Sequence, residues 1–119
     1  MDRFRPEAFL PLTAVAFEIL LSLADEPRHG YSILLEIETR SGGAIALHAG
    51  TLYRALARLL EAELIEEVAA PQGQDSDDER RRYYRLTRRG IAVASAEVRR
   101  LEESLAAARA SRLLKGSVA

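Results

Sequence analysis

The last third of the chain limits the possible folds more than any other stretch. Ile91, Ala94, Val98, Leu101, Leu105 and Ala108 step by 3, 4, 3, 4 and 3 residues, a heptad seam rather than a broad core face. Thr87 is placed to cap this helix, which the pattern carries from about Arg88 to Leu114. Such a helix has more apolar stripe than a body of 119 residues can cover. The seam therefore needs a mate. Either the first helix of the same chain lies antiparallel along it, or a second copy supplies an equivalent helix, and a homodimer is the expectation.

The residues ahead of it divide by period. Leu12, Val15, Ala16, Ile19, Leu20 and Leu23 predict a helix with one buried face, ended by Asp25-Glu26-Pro27. A second helix is expected from about Gly30 or Tyr31 to Arg40, burying Ile33, Leu34 and Ile37, with Ser41-Gly42-Gly43 as its stop. The third, from about Ala49 to Ala62, is sharply two-sided. At about 100° per residue, Leu52, Leu56, Leu59 and Leu60 gather on one face, and Thr51, Arg54 and Arg58 on the other, with Tyr53 on the flank. Leu64 to Val68 and Arg81 to Leu86 then read as the two strands of a hairpin with a long charged tip.

Three short helices followed by a hairpin are the order of a winged helix-turn-helix. The predicted fold class is mostly α with a small β-hairpin, extended by a long C-terminal dimerisation helix. Residues 1–11, holding Pro6 and Pro11, form an N-terminal arm; residues 12–87 form the DNA-binding unit; residues 88–119 form the dimerisation helix and tail. In that fold the third helix enters the major groove and the wing touches flanking backbone. Arg54 is the candidate base reader, because a guanidinium can donate two bonds to guanine. Thr51 suits a phosphate or a thymine methyl, Tyr53 the backbone, and Arg58, a turn deeper, phosphate. Arg80, Arg81 and Arg82 read as phosphate anchors, of which at most two can share one face of a strand.

Composition narrows the alternatives. With 48% hydrophobic and 29% charged residues the chain is neither a disordered polyelectrolyte nor a membrane bundle. No apolar run reaches the length of a membrane span, and no apolar leader follows Met1, so a cytoplasmic location without membrane contact is expected. Cysteine is absent, and the two histidines, His29 and His48, offer no metal set. Without a nucleophile–base pair or a phosphate-cradling glycine loop, the chain is expected to be no enzyme and to carry no cofactor. The net charge of −1 hides an acidic run, Asp75 to Glu79, followed by the arginine-rich stretch from Arg80 to Arg100. Arg88 and Arg89 fall in the first turn of the last helix, where the helix dipole disfavours cations. A nearby anion is implied, either DNA phosphate or the acidic run. A winged-helix module that binds protein instead of DNA is the rival reading, and it would show apolar residues on the outward face of the third helix.

Together, His29-Gly30-Tyr31, Gly50-Thr51-Leu52-Tyr53 with Arg58-Leu59 and Leu64-Ile65, and Arg81-Arg82-Tyr83-Tyr84-Arg85-Leu86-Thr87 with Gly90 resemble the PadR family of bacterial transcriptional regulators. The resemblance runs over about residues 12–110 and is similar to its short subfamily. It implies a dimeric repressor on near-palindromic double-stranded DNA, released by a small aromatic or hydrophobic effector. It also implies that Tyr31, Thr51, Tyr53 and the wing arginines contact DNA. The chain departs from the pattern at the start of the third helix, where His48-Ala49 makes a poor cap and His48 itself becomes a candidate DNA contact. It has Arg54 in place of a proline, Glu63 in place of a glycine, and Leu101 near an interfacial tryptophan of drug-stacking members. Phe4, Phe9 and Phe17, with Leu101, are the candidates for an apolar effector pocket.

Overall fold

The computed structural model of the protein describes residues 3–71 and 82–114. A short 3-10 turn, Pro6–Phe9, precedes α1 (Ala14–Ser22), β1 (Arg28–His29), α2 (Gly30–Arg40), α3 (Ala49–Glu61), β2 (Ile65–Val68), β3 (Tyr83–Leu86) and α4 (Arg88–Ala110). Three of the four helices begin on a side chain that relieves an unsatisfied amide. The Thr13 hydroxyl accepts from Ala16 N, His29 Nδ1 from Ser32 N, and the Thr87 hydroxyl from Gly90 N. His48, at the start of α3, makes no such bond.

The core forms where the apolar stripes meet. Ile19, Leu20 and Leu23 of the first helical segment, Ile33 and Ile37 of α2, Leu52, Leu56 and Leu59 of α3, and Leu64, Ile65, Tyr84 and Val93 are all buried in one cluster. Leu34 and Leu60, expected beside them, are half-buried at its edge.

The sheet is larger than a hairpin. Its order is β1-β3-β2, wholly antiparallel, with Arg28 opposite Tyr84 and His29 opposite Tyr83 on one side, and Ile65 opposite Leu86 on the other. The extra strand has two residues, too few for any alternation to be legible, and it leads directly into α2. The His29 ring meets Tyr83 edge-on at 5.3 Å between centroids.

Glu63 corrects the pattern in another way. Although not glycine, it takes the left-handed conformation, with φ 61°. Leu64 N bonds Leu59 O and Glu63 N bonds Leu60 O, both at 3.0 Å, the paired bonds of a Schellman end with Leu59 and Leu64 as its apolar contact. The turn also delivers Leu64 O to Thr87 N at 3.1 Å. A side chain at Gly90 would strike that same Leu64 carbonyl, so only glycine lets the first turn of α4 approach so closely.

Helix α4 ends at Ala110, one turn earlier than Leu114, and has two working faces. Gly90, Val93, Ala96 and Glu97 are buried against the rest of the chain. The N-terminal arm is fastened to this face: Leu12 N donates to Glu97 Oε2 at 3.1 Å, and the Arg89 guanidinium lies 4.7 Å from the Phe4 ring centre.

Candidate nucleic-acid interface

The start of α3 presents the polar row that its period requires. Leu52, Leu56 and Leu59 anchor its underside, so Arg54 and Arg58 are exposed and Thr51 is half-exposed beside Arg54; Arg58 also borders a cleft formed with Phe9, Leu12 and Ala55. The row contains no apolar side chain. Arg54 Nη2 donates to Thr51 Oγ1 at 3.4 Å, so the guanidinium lies back along the helix toward its N-terminus. His48 is exposed at that same end.

Tyr53 and Tyr31 flank the row, 51% and 57% exposed. The Tyr53 phenol is seated on Gly30: a Cβ there would come within 2.5 Å of its hydroxyl oxygen and 2.8 Å of Cζ. The α2 N-terminus and the flank of α3 therefore meet through an aromatic ring that is only half covered. Behind them Tyr84 is buried, and burial, reinforced by the Glu67 carboxylate and by Tyr53, pushes its phenol pKa upward against a weaker opposing effect of Arg82. It stays a neutral hydroxyl at any physiological pH.

On the wing, the arginines meet glutamates across the strands. Arg82 Nη1 lies 3.5 Å from Glu67 Oε1, and Arg85 Nε 2.8 Å from Glu66 Oε2. All four side chains are about half-exposed or more, so these pairs are weak and can exchange partners. Arg80, Arg81 and the acidic run lie outside the described residues. At the start of α4, the Glu63 carboxylate is 3.7 Å from Arg89 Nη1, and the Phe4 ring is a second support for that guanidinium.

Along α4 the seam faces out of the single chain. Ile91, Val98, Leu101 and Leu105 keep 39% to 53% of their surface, while Ala94 and Ala108 are half-buried. The seam continues into an open apolar groove of about 260 Å³ between α1 and α4, lined by Phe17, Leu21, Ala24, Leu86, Ile91 and Val98 among others. Among the described residues, the four candidates for an effector pocket do not line one cavity together. Phe4 and Phe9 pack together at 5.8 Å on the arm, Phe17 belongs to the α1–α4 groove, and Leu101 is not part of that groove's lining.

Three features escaped the sequence reading. Gly30 is the seat of Tyr53. Glu97, inside an arginine-rich stretch, is a buried carboxylate whose pKa is lowered, chiefly by its hydrogen bonds from Arg100 and then, against burial, by the Leu12 amide. Arg3 and Arg5 border a shallow hollow with Arg89 and Phe4. Sequence spacing carries no sign of the second and third, because each joins the arm to a helix some 85 residues away. Among the described residues no set of three His, Asp or Glu side chains is placed to hold a metal, and no helix is long and apolar enough to cross a membrane.

Comparison with known proteins agrees with this arrangement. A PadR family transcription regulator from Clostridium difficile R20291 superposes with a TM-score of 0.69 at 25% identity, covering 82% of this chain and 96% of its own. A transcriptional regulator from Clostridium thermocellum gives 0.65 at 27% identity, covering 78% and 84%. An uncharacterised protein of Lysinibacillus sphaericus is 36% identical over 85 residues, 71% of this chain and 75% of that one. The profile of the transcriptional regulator PadR-like family matches residues 19–96. With more than half of its length inside that match and its helices and wing in the corresponding fold, the chain belongs to the PadR-like family of transcriptional regulators.

Proposed function

We propose that the protein is a dimeric repressor that reads a near-palindromic site in double-stranded DNA. The observation carrying this reading is the outward face of α3, where Thr51, Arg54 and Arg58 stand over a well-packed leucine underside with no apolar residue among them. A protein-binding module would need apolar surface there. In this reading the first turns of α3 enter the major groove. Arg54 leaves Thr51 to donate twice to a guanine edge, and Thr51 and His48 meet the groove wall at the helix start. Tyr53 and Tyr31 direct their hydroxyls to phosphate, and Arg58 adds charge further along. Arg82 exchanges Glu67 for a phosphate oxygen, and Arg80 and Arg81 add further phosphate contacts. These backbone contacts fix the register, and Arg54 supplies the sequence preference.

Dimerisation follows from the uncovered seam. A second α4 laid along Ile91, Val98, Leu101 and Leu105 and into the groove at Phe17 covers the apolar surface that a single chain leaves open. A two-fold dimer repeats the reading helix, which is why the site is expected to be near-palindromic. Release by a small hydrophobic effector would act by changing that spacing.

The test is selection of bound duplexes from a random pool, followed by binding of the winner to Arg54→Ala. The expected result is a pair of inverted half-sites about 34–36 Å apart, with Arg54→Ala losing about 1–3 kcal/mol on the selected site and relaxing base preference at one position. Recovery of no sequence above competitor would overturn the reading. Equal loss by Arg54→Ala on selected and random DNA would reduce Arg54 to a phosphate contact.

A further inference from the structure

We infer that the His29 imidazole is a proton-sensitive latch at the start of α2, whose protonation loosens the tyrosine flank of the reading helix and weakens DNA binding. His29 joins a strand, a helix start and an aromatic pair. It is the last residue of β1, paired with Tyr83 of β3. It precedes Gly30, the first residue of α2, and its Nδ1 accepts from Ser32 N at 3.1 Å. Its ring also meets the Tyr83 ring edge-on. Such a cap needs a bare Nδ1, hence a neutral ring with its proton on Nε2. The caps of α1 and α4 are the hydroxyls of Thr13 and Thr87, which do not titrate.

A second proton on the ring removes the cap by two routes. Both ring nitrogens become donors, so Ser32 N loses its acceptor. The new cation also faces the positive end of the α2 dipole. The charged and titratable groups around the ring act in the same direction. On β1, the Arg28 guanidinium donates to Ser32 Oγ at 3.1 Å, so imidazole and guanidinium share one serine. Its other contacts are Ser22 O and the Glu26 and Glu36 carboxylates. β3 brings Tyr83 to the ring, with Tyr84 opposite Arg28. From β2, Glu67 lies opposite Tyr84 and pairs with Arg82, and from α3 the Tyr53 phenol covers Gly30. These carboxylates already balance guanidiniums, and a protonated ring would stand beside Arg28. His29 is half-buried, so water can deliver the proton.

The consequence rests on the DNA-binding reading above. Gly30, next to His29, seats the Tyr53 phenol, and the exposed Tyr31 follows it in the same turn. When the first turn of α2 opens, both phenols lose the support that aims them at phosphate. DNA then selects the neutral ring, and by linkage affinity falls as pH drops, by at most about tenfold per pH unit. The window is that of an ordinary imidazole, about pH 6.5, clear of the carboxylates. His48 at the start of α3 would give the opposite sign, because a cation near phosphate tightens binding.

The chain has two histidines, so His48→Gln leaves His29 as the sole imidazole, and every measurement uses that background. Nitrogen NMR of the full chain, without DNA, is expected to show a bare Nδ1 and a protonated Nε2 at about pH 7.5. As the ring charges between about pH 7 and 5, the Gly30 and Ser32 amides and the Tyr53 ring should shift with it. Affinity for the selected duplex at fixed salt should fall about five- to tenfold from about pH 7.5 to 5.5. His29→Asn, which keeps a cap acceptor that does not titrate, should hold its affinity over the same range. The NMR titration needs no substitution at His29, so it decides the latch even if His29→Asn folds poorly. A ring charged at about pH 7.5, a ring still neutral at about pH 5, or a charged ring with Ser32 and Tyr53 unmoved would overturn the latch. The same pH response in His29→Asn, or no response in either protein, overturns the coupling to DNA. A protein that prefers no duplex retires the DNA reading, and the NMR response still decides the latch.

Discussion

Substituting Leu101 by arginine isolates the seam from the core. Leu101 keeps 39% of its surface and lies outside the buried cluster, so the folded monomer loses little. In a two-fold dimer the same position counts twice. Covering a whole leucine stabilises by about 1.5–3 kcal/mol, and the uncovered share of Leu101 makes this about 1 kcal/mol per copy. Two copies lose about 2 kcal/mol before any charge is considered. A guanidinium facing an apolar mate adds at least a further ~1–3 kcal/mol for poorly hydrated charge. The dimer constant should therefore weaken by more than about a hundredfold. The whole seam has little surplus to absorb this. Ile91, Val98, Leu101 and Leu105 together contribute about 8 kcal/mol over both copies, against an association cost of several kcal/mol. Sedimentation equilibrium measures the constant, and circular dichroism melting checks the monomer. A well-folded variant that remains dimeric at the wild-type concentration would refute the seam; the expected result is a variant that keeps its helical content and a cooperative melt, sediments as a monomer, and melts below wild type because the stabilisation by association is lost.

Other expectations concern the features that hold the site in place. Glu63→Gly should raise stability by about 1 kcal/mol in denaturant titration, since glycine removes the left-handed penalty while the exposed Arg89 pair it gives up is weak; lowered stability would mean that the ion pair outweighs the backbone. Gly30→Ala should displace the Tyr53 phenol while leaving melting nearly unchanged, because the clash falls on the free end of a half-exposed ring. In a double-mutant cycle on the selected duplex, Gly30→Ala and Tyr53→Ala should then cost no more together than singly, and additive losses would uncouple the two residues. Glu97→Gln should cost about 2 kcal/mol at pH 7 through the buried carboxylate's own hydrogen bonds, with the partly solvated Arg100 side discounted. Because the Glu97 pKa is lowered in the folded chain, its stabilisation is complete above its unfolded value near 4.5 and fades as pH falls through the folded value. The stability gap between wild type and Glu97→Gln should accordingly shrink below about pH 4.5, and a gap that stays constant to pH 3 would show that the carboxylate charge is not what Glu97 contributes.

What could be read from sequence, and what could not, divides by the distance over which residues act. The α3 face was legible because a 3.6-residue period sorts Leu52, Leu56 and Leu59 from Thr51, Arg54 and Arg58 within four turns. The apolar stripe of α4 was legible from its spacing, and Ile91, Val98, Leu101 and Leu105 are exposed in the single chain. Glu63 misleads because residue type alone argues against a left-handed turn. Burial of Leu59 and Leu64 on either side, at about 1.5–3 kcal/mol each, outweighs a conformational cost of about 1–2 kcal/mol, so tertiary packing decides a question that local propensity answers wrongly. The arm is the extreme case. Its placement depends on Glu97 reaching the Leu12 amide and on Arg89 covering Phe4, and neither partner is visible from the other's neighbourhood. Phe9, Leu12 and Thr13 face Ala55, Arg58 and Leu59 across a cleft between the arm and α3, and they are held there by packing of Phe9 and Leu12 on the core and by the Glu97 bond to the Leu12 amide. Arg58, which the wheel places on the outward face of α3, thus also borders this cleft, and no spacing within α3 shows it.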